Sequence, residues 1–248
     1  MPHLLLVLAL LAQPSPAAKA WQAGQEAMEA DRLDEAVGQF QLCLRLDPTF
    51  AQAHLSLAAA QLALEQGPQA AASMERYLAA KPEHFPIRWH LSGLLLKLAR
   101  FAEARKQCEL FLRGAQMQDA ASPEDLIRCH TRLMELAERR GDEYEERLNR
   151  GIGLYLLARR RQAIDGRSTE ELLCKAAAEL TLARMQRPDE ARPSWYLHGV
   201  WGGLAQRHPA MCCLWKARDL AAPGALTPAE RRDLMQAAAL AAQEGRTR

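Results

Sequence analysis

The sequence predicts an all-α chain built as a solenoid of stacked helix-turn-helix units, a right-handed superhelix with no sheet. Three observations predict it. Alanine, leucine, arginine, glutamate and glutamine dominate the 248 residues, while aromatics make up only 6%. Isoleucine and valine are scarce, which leaves little strand propensity. Most informative is a size pattern that returns with a period of roughly 34 residues along the first half of the chain.

The repeat is read position by position. Gly24, Ala36, Phe40, Cys43 and Pro48 are followed one period on by Ala58, Ala70, Met74, Tyr77 and Pro82. A second step gives Ser92, Ala104, Cys108, Phe111 and Gln116, so the terminal proline is lost in the third unit. Ala23, Leu57 and Leu91 keep the same step, as do Leu44, Leu78 and Leu112. A small residue at Gly24, Ala58 and Ser92 lets a second helix approach closely. Ala36, Ala70 and Ala104 are the matching small residues of that second helix. Phe40 and Cys43 share one helix face, and Pro48 and Pro82 end the helix. Asp31-Arg32-Leu33-Asp34 and Glu65-Gln66-Gly67-Pro68 are the turns within a unit. A single hairpin leaves an apolar face that only its neighbour covers.

These residues resemble the tetratricopeptide repeat family. Asp34-Glu35-Ala36 and Leu46-Asp47-Pro48 are similar to its turn and terminal motifs, and residues 17–118 hold three matching units. The family's early tryptophan is absent at Ala20, His54 and Arg88; Trp21 and Trp89 follow one residue later. The resemblance implies a protein-interaction scaffold and no enzyme. First helices of such repeats line a concave groove that grips an extended peptide or a partner helix. Carried over here, that groove holds Trp21 and Gln25, then Gln52, Leu55, Ala59 and Leu62, then Trp89, Gly93 and Lys97. Two readings of Trp21 and Trp89 stay open, groove wall or inter-helix packing. The lysine and asparagine clamp by which some members hold acidic chaperone tails is missing, since Trp21, Gln25 and Ser56 stand there.

Beyond residue 116 the pattern slips. Ala176, Leu180, Ala183 and Pro188 repeat the spacing of Ala36, Phe40, Cys43 and Pro48, and Ala210, Leu214 and Ala217 follow one period later. The step from Ala104 to Ala176 is two periods plus four, so residues 119–168 are expected to form an irregular helical middle. One helix is predicted from the Ser122 cap to Gly141 and another from about Glu143 to Arg161. The segment 168–187 is a first helix by count and a second helix by motif. Residues 169–244 hold degenerate repeats and an end-capping helix that starts at Thr227-Pro228-Ala229-Glu230.

The amino terminus differs. Leu4–Ala12 is an unbroken apolar run, followed by Pro14, Pro16 and Ala18-Lys19-Ala20. It reads as a signal peptide over residues 1–20 and is too short to span a bilayer. Export to a bacterial envelope is therefore expected, periplasmic or secreted, with no membrane span after its removal. The alternative is a cytoplasmic auxiliary protein serving an enzyme or secretion complex.

Other chemistry is scarce. A formal charge of +2, from 32 basic and 30 acidic residues, gives no electrostatic case for nucleic acid. The six cysteines lack metal-site spacing, and neither a metal nor a cofactor is expected. Cys129 and His130 are adjacent and point about 100° apart on a helix, so they form no nucleophile–base pair. Gly151-Ile152-Gly153 lacks the preceding strand and third glycine of a phosphate loop. Arg159-Arg160-Arg161 is placed near a helix end, and Gly199, Gly202 and Gly203 are assigned either to packing or to a bend.

Overall fold

A computed structural model describes residues 14–117, 122–165 and 168–246. The described residues are all-α and fall into two compact units, 1–100 and 101–248. The segment Leu4–Ala12 lies outside them. Unit 1 holds α1 (Pro16–Glu29), α2 (Leu33–Leu46), α3 (Ala51–Ala63), α4 (Gly67–Ala80) and α5 (Phe85–Lys97). Unit 2 holds α6 (Phe101–Met117), α7 (Pro123–Arg140), α8 (Glu143–Asp165), α9 (Glu170–Gln186), α10 (Ala191–Gly203), α11 (Arg207–Leu220) and α12 (Pro228–Arg246).

In unit 1 the small positions do what their size allows. Gly24 of α1 lies against the ring of Phe40 on α2; a Cβ there would stand 2.6 Å from Phe40 Cδ1. Ala36, Phe40, Ala58 and Ala70 are fully buried. Backbone geometry repeats with the sequence. Asp31, Glu65 and Ala99, successive by one repeat and just beyond α1, α3 and α5, all adopt left-handed φ of 56–58°. Such a residue lets the chain reverse after a first helix, and a non-glycine side chain there costs about 1 kcal/mol. Where the early tryptophan is missing, Arg88 is buried and donates through Nε and Nη2 to the Pro82 carbonyl at 2.8 and 2.6 Å. It satisfies a backbone acceptor at the bend between α4 and α5.

Unit 2 resolves the helix that counting and motif place differently. Gly151 of α8 packs on Leu180 of α9, where a Cβ would meet Leu180 Cγ at 2.6 Å. This is the contact of Gly24 with Phe40, so α8 is a first helix and α9 a second. In this contact α9 takes the second-helix position that its motif gives. Ala205, after α10, takes the same left-handed φ of 57°, and α10–α11 is the following hairpin. A core of Leu148, Ile152, Leu173, Leu180, Leu197 and Val200 joins α8, α9 and α10.

Two details of unit 2 go beyond the sequence. The helix expected to end at Arg161 runs one turn further, to Asp165, and the arginines near that end are engaged: Arg160 pairs with Glu124, and Arg159 stacks 5.9 Å over the Tyr155 ring. Of the two readings open for the glycines of α10, packing holds for Gly199 and Gly203, on a helix continuous to Gly203. Gly199 and Gly203 admit Tyr155 and Leu173.

The ends of unit 2 are capped in detail. Ser122 forms a capping box with Asp125, and Gly141 closes α7 at φ 66°. Thr227 and Glu230 do the same for α12, with Thr227 N donating to Glu230 Oε2 at 2.7 Å and Glu230 N to Thr227 Oγ1 at 3.2 Å. Glu230 also accepts from the Tyr196 hydroxyl at 2.8 Å and pairs with Arg192 at 3.3 Å. Tyr196 precedes Glu230 by one repeat length, so the repeat itself ties α12 to α10.

Candidate functional site

The residues of the first-helix stripe all lie in unit 1, on α1, α3 and α5. Helix geometry groups them within each helix. Gln52, Leu55, Ala59 and Leu62 are spaced three, four and three apart, so they run along one side of α3. Ala53, Leu57 and Ala60, on its other sides, are buried.

Their environments differ. Gln52, Ala59, Leu62 and Lys97 are exposed, and Leu55, Trp89 and Gly93 are half-buried. Trp21 and Gln25 are half-buried and already engaged within the chain. Trp21 Nε1 donates to Ser56 Oγ at 3.1 Å, and Gln25 Nε2 donates to the same oxygen at 3.3 Å. The Trp21 ring also packs on Phe50, with centroids 5.9 Å apart. The residues standing in place of a basic clamp thus bond one another and fasten α1 to α3. Ser56 is buried and acts as their shared acceptor.

Titratable groups elsewhere serve packing. His130 is fully enclosed in unit 2, and its Nδ1 donates to Asn149 Oδ1 at 2.9 Å. Burial lowers its pKa to about 4, with Asn149 and Glu230 opposing and Arg192 adding to the fall. A neutral imidazole closed off from solvent has no access to a substrate. Cys129 points its thiol at the Cys108 carbonyl, 3.6 Å away, and all six cysteines are free. Its pKa is pushed far up by the Cys108 side chain and by burial, which removes thiolate character. Among the described residues no group of three or more His, Cys, Asp or Glu is placed to hold a metal. No described helix is long and apolar enough to cross a membrane.

Sequence reasoning missed a polar surface on the second helices. Buried Ser73 of α4 donates to buried Gln61 of α3 at 2.7 Å, and Arg45 and Arg76 stand nearby around a cleft. A glutamine inside the apolar run of α3 was the available signal.

A small residue facing a large one between α1 and α2 and again between α8 and α9, with left-handed residues after α1, α3, α5 and α10, defines a tetratricopeptide-type helical solenoid fold. No family model matches the chain, and no curated protein does. Among solved structures it is similar to MamA (residue 41 to the end) from Desulfovibrio magneticus RS-1, at 15% identity over 84% of this chain and 97% of that one, with a TM-score of 0.41. PilF of Pseudomonas aeruginosa is 18% identical over 89% of this chain and 96% of its own, with a TM-score of 0.41. YrrB, described as a TPR protein with an unusual peptide-binding site, is 18% identical over 83% of this chain and 86% of its own, at 0.33. These values mark a distant likeness.

Proposed function

We propose that this chain is a protein-interaction scaffold that holds an extended peptide or a partner helix along the first-helix stripe of unit 1. The observation that carries this reading is Leu62. It is 40% exposed, in line with Ala59 and Leu55, on a helix whose opposite faces are sealed in the core. Apolar side chains in water on α3, with the half-buried Trp89 and the charged Lys97 on α5, are the ingredients of a peptide hot spot with a polar rim. Trp21 and Gln25 form the wall at one end.

The test is capture with native cell extract, followed by affinity measurement for the isolated partner with Leu62→Gln and Trp89→Ala. Both variants weaken binding, Trp89→Ala by about 2 kcal/mol or more, while helix content stays the same. Unaltered affinity for both variants, with a fall in stability for Trp89→Ala, assigns Trp89 to packing and removes the stripe as the binding face.

Export belongs to the same proposal and is supported by Leu4–Ala12. The packing of α1 bears on the cut. Ala17 and Ala20 are buried with Cys43 and Ala53, so cleavage after Ala18 spares Ala20 and cleavage after Ala20 removes both. A mature chain from the native cell beginning at Lys19 or Trp21 agrees with export. Intact Met1 leaves the cytoplasmic auxiliary reading in its place.

A further inference from the structure

The second helices of unit 1 border a surface distinct from the first-helix stripe. A cleft of about 450 Å³ is walled by α2 and α4 and floored by α3, within the range of roughly 300–1,000 Å³ that ligand sites occupy. Gln41 and Arg45 are one turn apart on α2, and Gln69, Ser73 and Arg76 follow at offsets of four and three on α4, so each set shares a helix face. The lining holds two arginines and no carboxylate. Neither Arg45 nor Arg76 has an ion pair among the described residues. The charge of Arg76 is felt at His54, whose pKa is lowered by burial first and by that guanidinium second.

The floor supplies an independent observation. Gln61 is 6% exposed and lines the cleft, yet only one end of its amide is used. Its Oε1 accepts from Ser73 Oγ at 2.7 Å, and its Nε2 has no hydrogen-bond partner among the described residues. That nitrogen is free to donate to an occupant of the cleft. One amide donor on the floor and two cations without ion pairs on the walls suit an elongated anionic ligand with carbonyl acceptors.

We propose that this cleft binds an acidic peptide segment, whose carboxylates pair with Arg45 and Arg76 and whose backbone carbonyl accepts from Gln61 Nε2. Arginine suits the first role because its planar fork meets a carboxylate with two parallel hydrogen bonds. The site is separate from the first-helix stripe, so the chain offers two faces with different chemistry, one apolar and one anion-binding.

The test is fluorescence anisotropy with fluorescein-labelled hexaglutamate and hexaglutamine on the full chain. Hexaglutamate binds and hexaglutamine does not, and affinity falls as salt rises. Arg45→Ala/Arg76→Ala weakens binding at least tenfold with an unchanged helical spectrum, and Gln61→Leu weakens it severalfold. Arg139→Ala/Arg140→Ala, a control pair on α7, leaves it unchanged, as does Leu62→Gln on the other face. Equal binding of the two peptides, an unaltered constant in the Arg45/Arg76 variant, equal loss in the control pair, or no binding of hexaglutamate overturns the proposal. So does inorganic phosphate that competes as strongly as hexaglutamate, because the cleft is then a simple anion site. Loss through Leu62→Gln alone also overturns it and points to the first-helix stripe.

Discussion

Replacing Gly24 and Gly38 by alanine makes the same chemical change twice in one hairpin, with a gain in stability expected only at Gly38. Both glycines lie inside helices, α1 and α2. An added Cβ at Gly38 meets nothing within 4 Å, so Gly38→Ala gains only helix propensity, about 1 kcal/mol. At Gly24 the Cβ falls 2.6 Å from Phe40 Cδ1, with Phe40 Cε1 closer still. Ordinary contact begins near 3.4 Å, so the ring must retreat by most of an ångström. Phe40 is fully buried and has no open space to enter. Overpacking of this kind costs about 1–3 kcal/mol, which offsets or exceeds the propensity gain. The difference between the variants isolates the contact, since propensity cancels, and amounts to roughly 2–12 °C in melting temperature for a chain of this length. Urea unfolding followed by far-UV circular dichroism measures it. Phe40→Leu on the Gly24→Ala background returns part of the loss, because neighbouring substitutions couple. If Gly24→Ala and Gly38→Ala raise stability equally, Gly24 is not the close-approach point of the repeat, and the assignment of Gly151 against Leu180 falls with it.

Three other outcomes follow from the same geometry. His130 is held neutral with its pKa lowered from 6.5 to about 4, so the unfolded chain binds the proton first. Its contribution is fully present above about pH 6.5, is lost as pH falls toward 4, and amounts to about 3 kcal/mol; a His130→Gln chain whose urea midpoint has the same pH dependence refutes this. Ala205→Gly relieves a left-handed residue at φ 57° and raises stability by about 0.5–1 kcal/mol, whereas a melting temperature that drops shows no strain there. Iodoacetamide on the folded chain modifies the exposed Cys174 and Cys212 and spares Cys43, Cys108, Cys129 and Cys213 until denaturant is added; peptide mass spectrometry of the alkylated protein reads the pattern.

Repetition was legible because it is written in size. Close helix packing admits only small residues at Gly24 and Ala58 and demands large ones at Phe40 and Met74, so periodicity survives in the letters. Cap residues were legible for the same local reason: Ser122 and Thr227 bond amides three residues away. The stripe on α3 also followed from spacing alone, since a helix fixes which residues share a side. What the letters left open was pairing between helices. Gly151 and Leu180 stand much further apart along the chain than Gly24 and Phe40, although the two pairs make the same contact. The long α8 hides the hairpin from any fixed period, and only the contact itself names α8 as the first helix. Trp21 and Gln25 were assigned to the groove by position, while their bonds to Ser56 depend on how α1 lies against α3. The cleft was invisible for the same reason. Arg45, Gln61 and Arg76 come from three helices with no shared spacing, and a side chain's neighbours across helices are set by packing rather than by its own sequence.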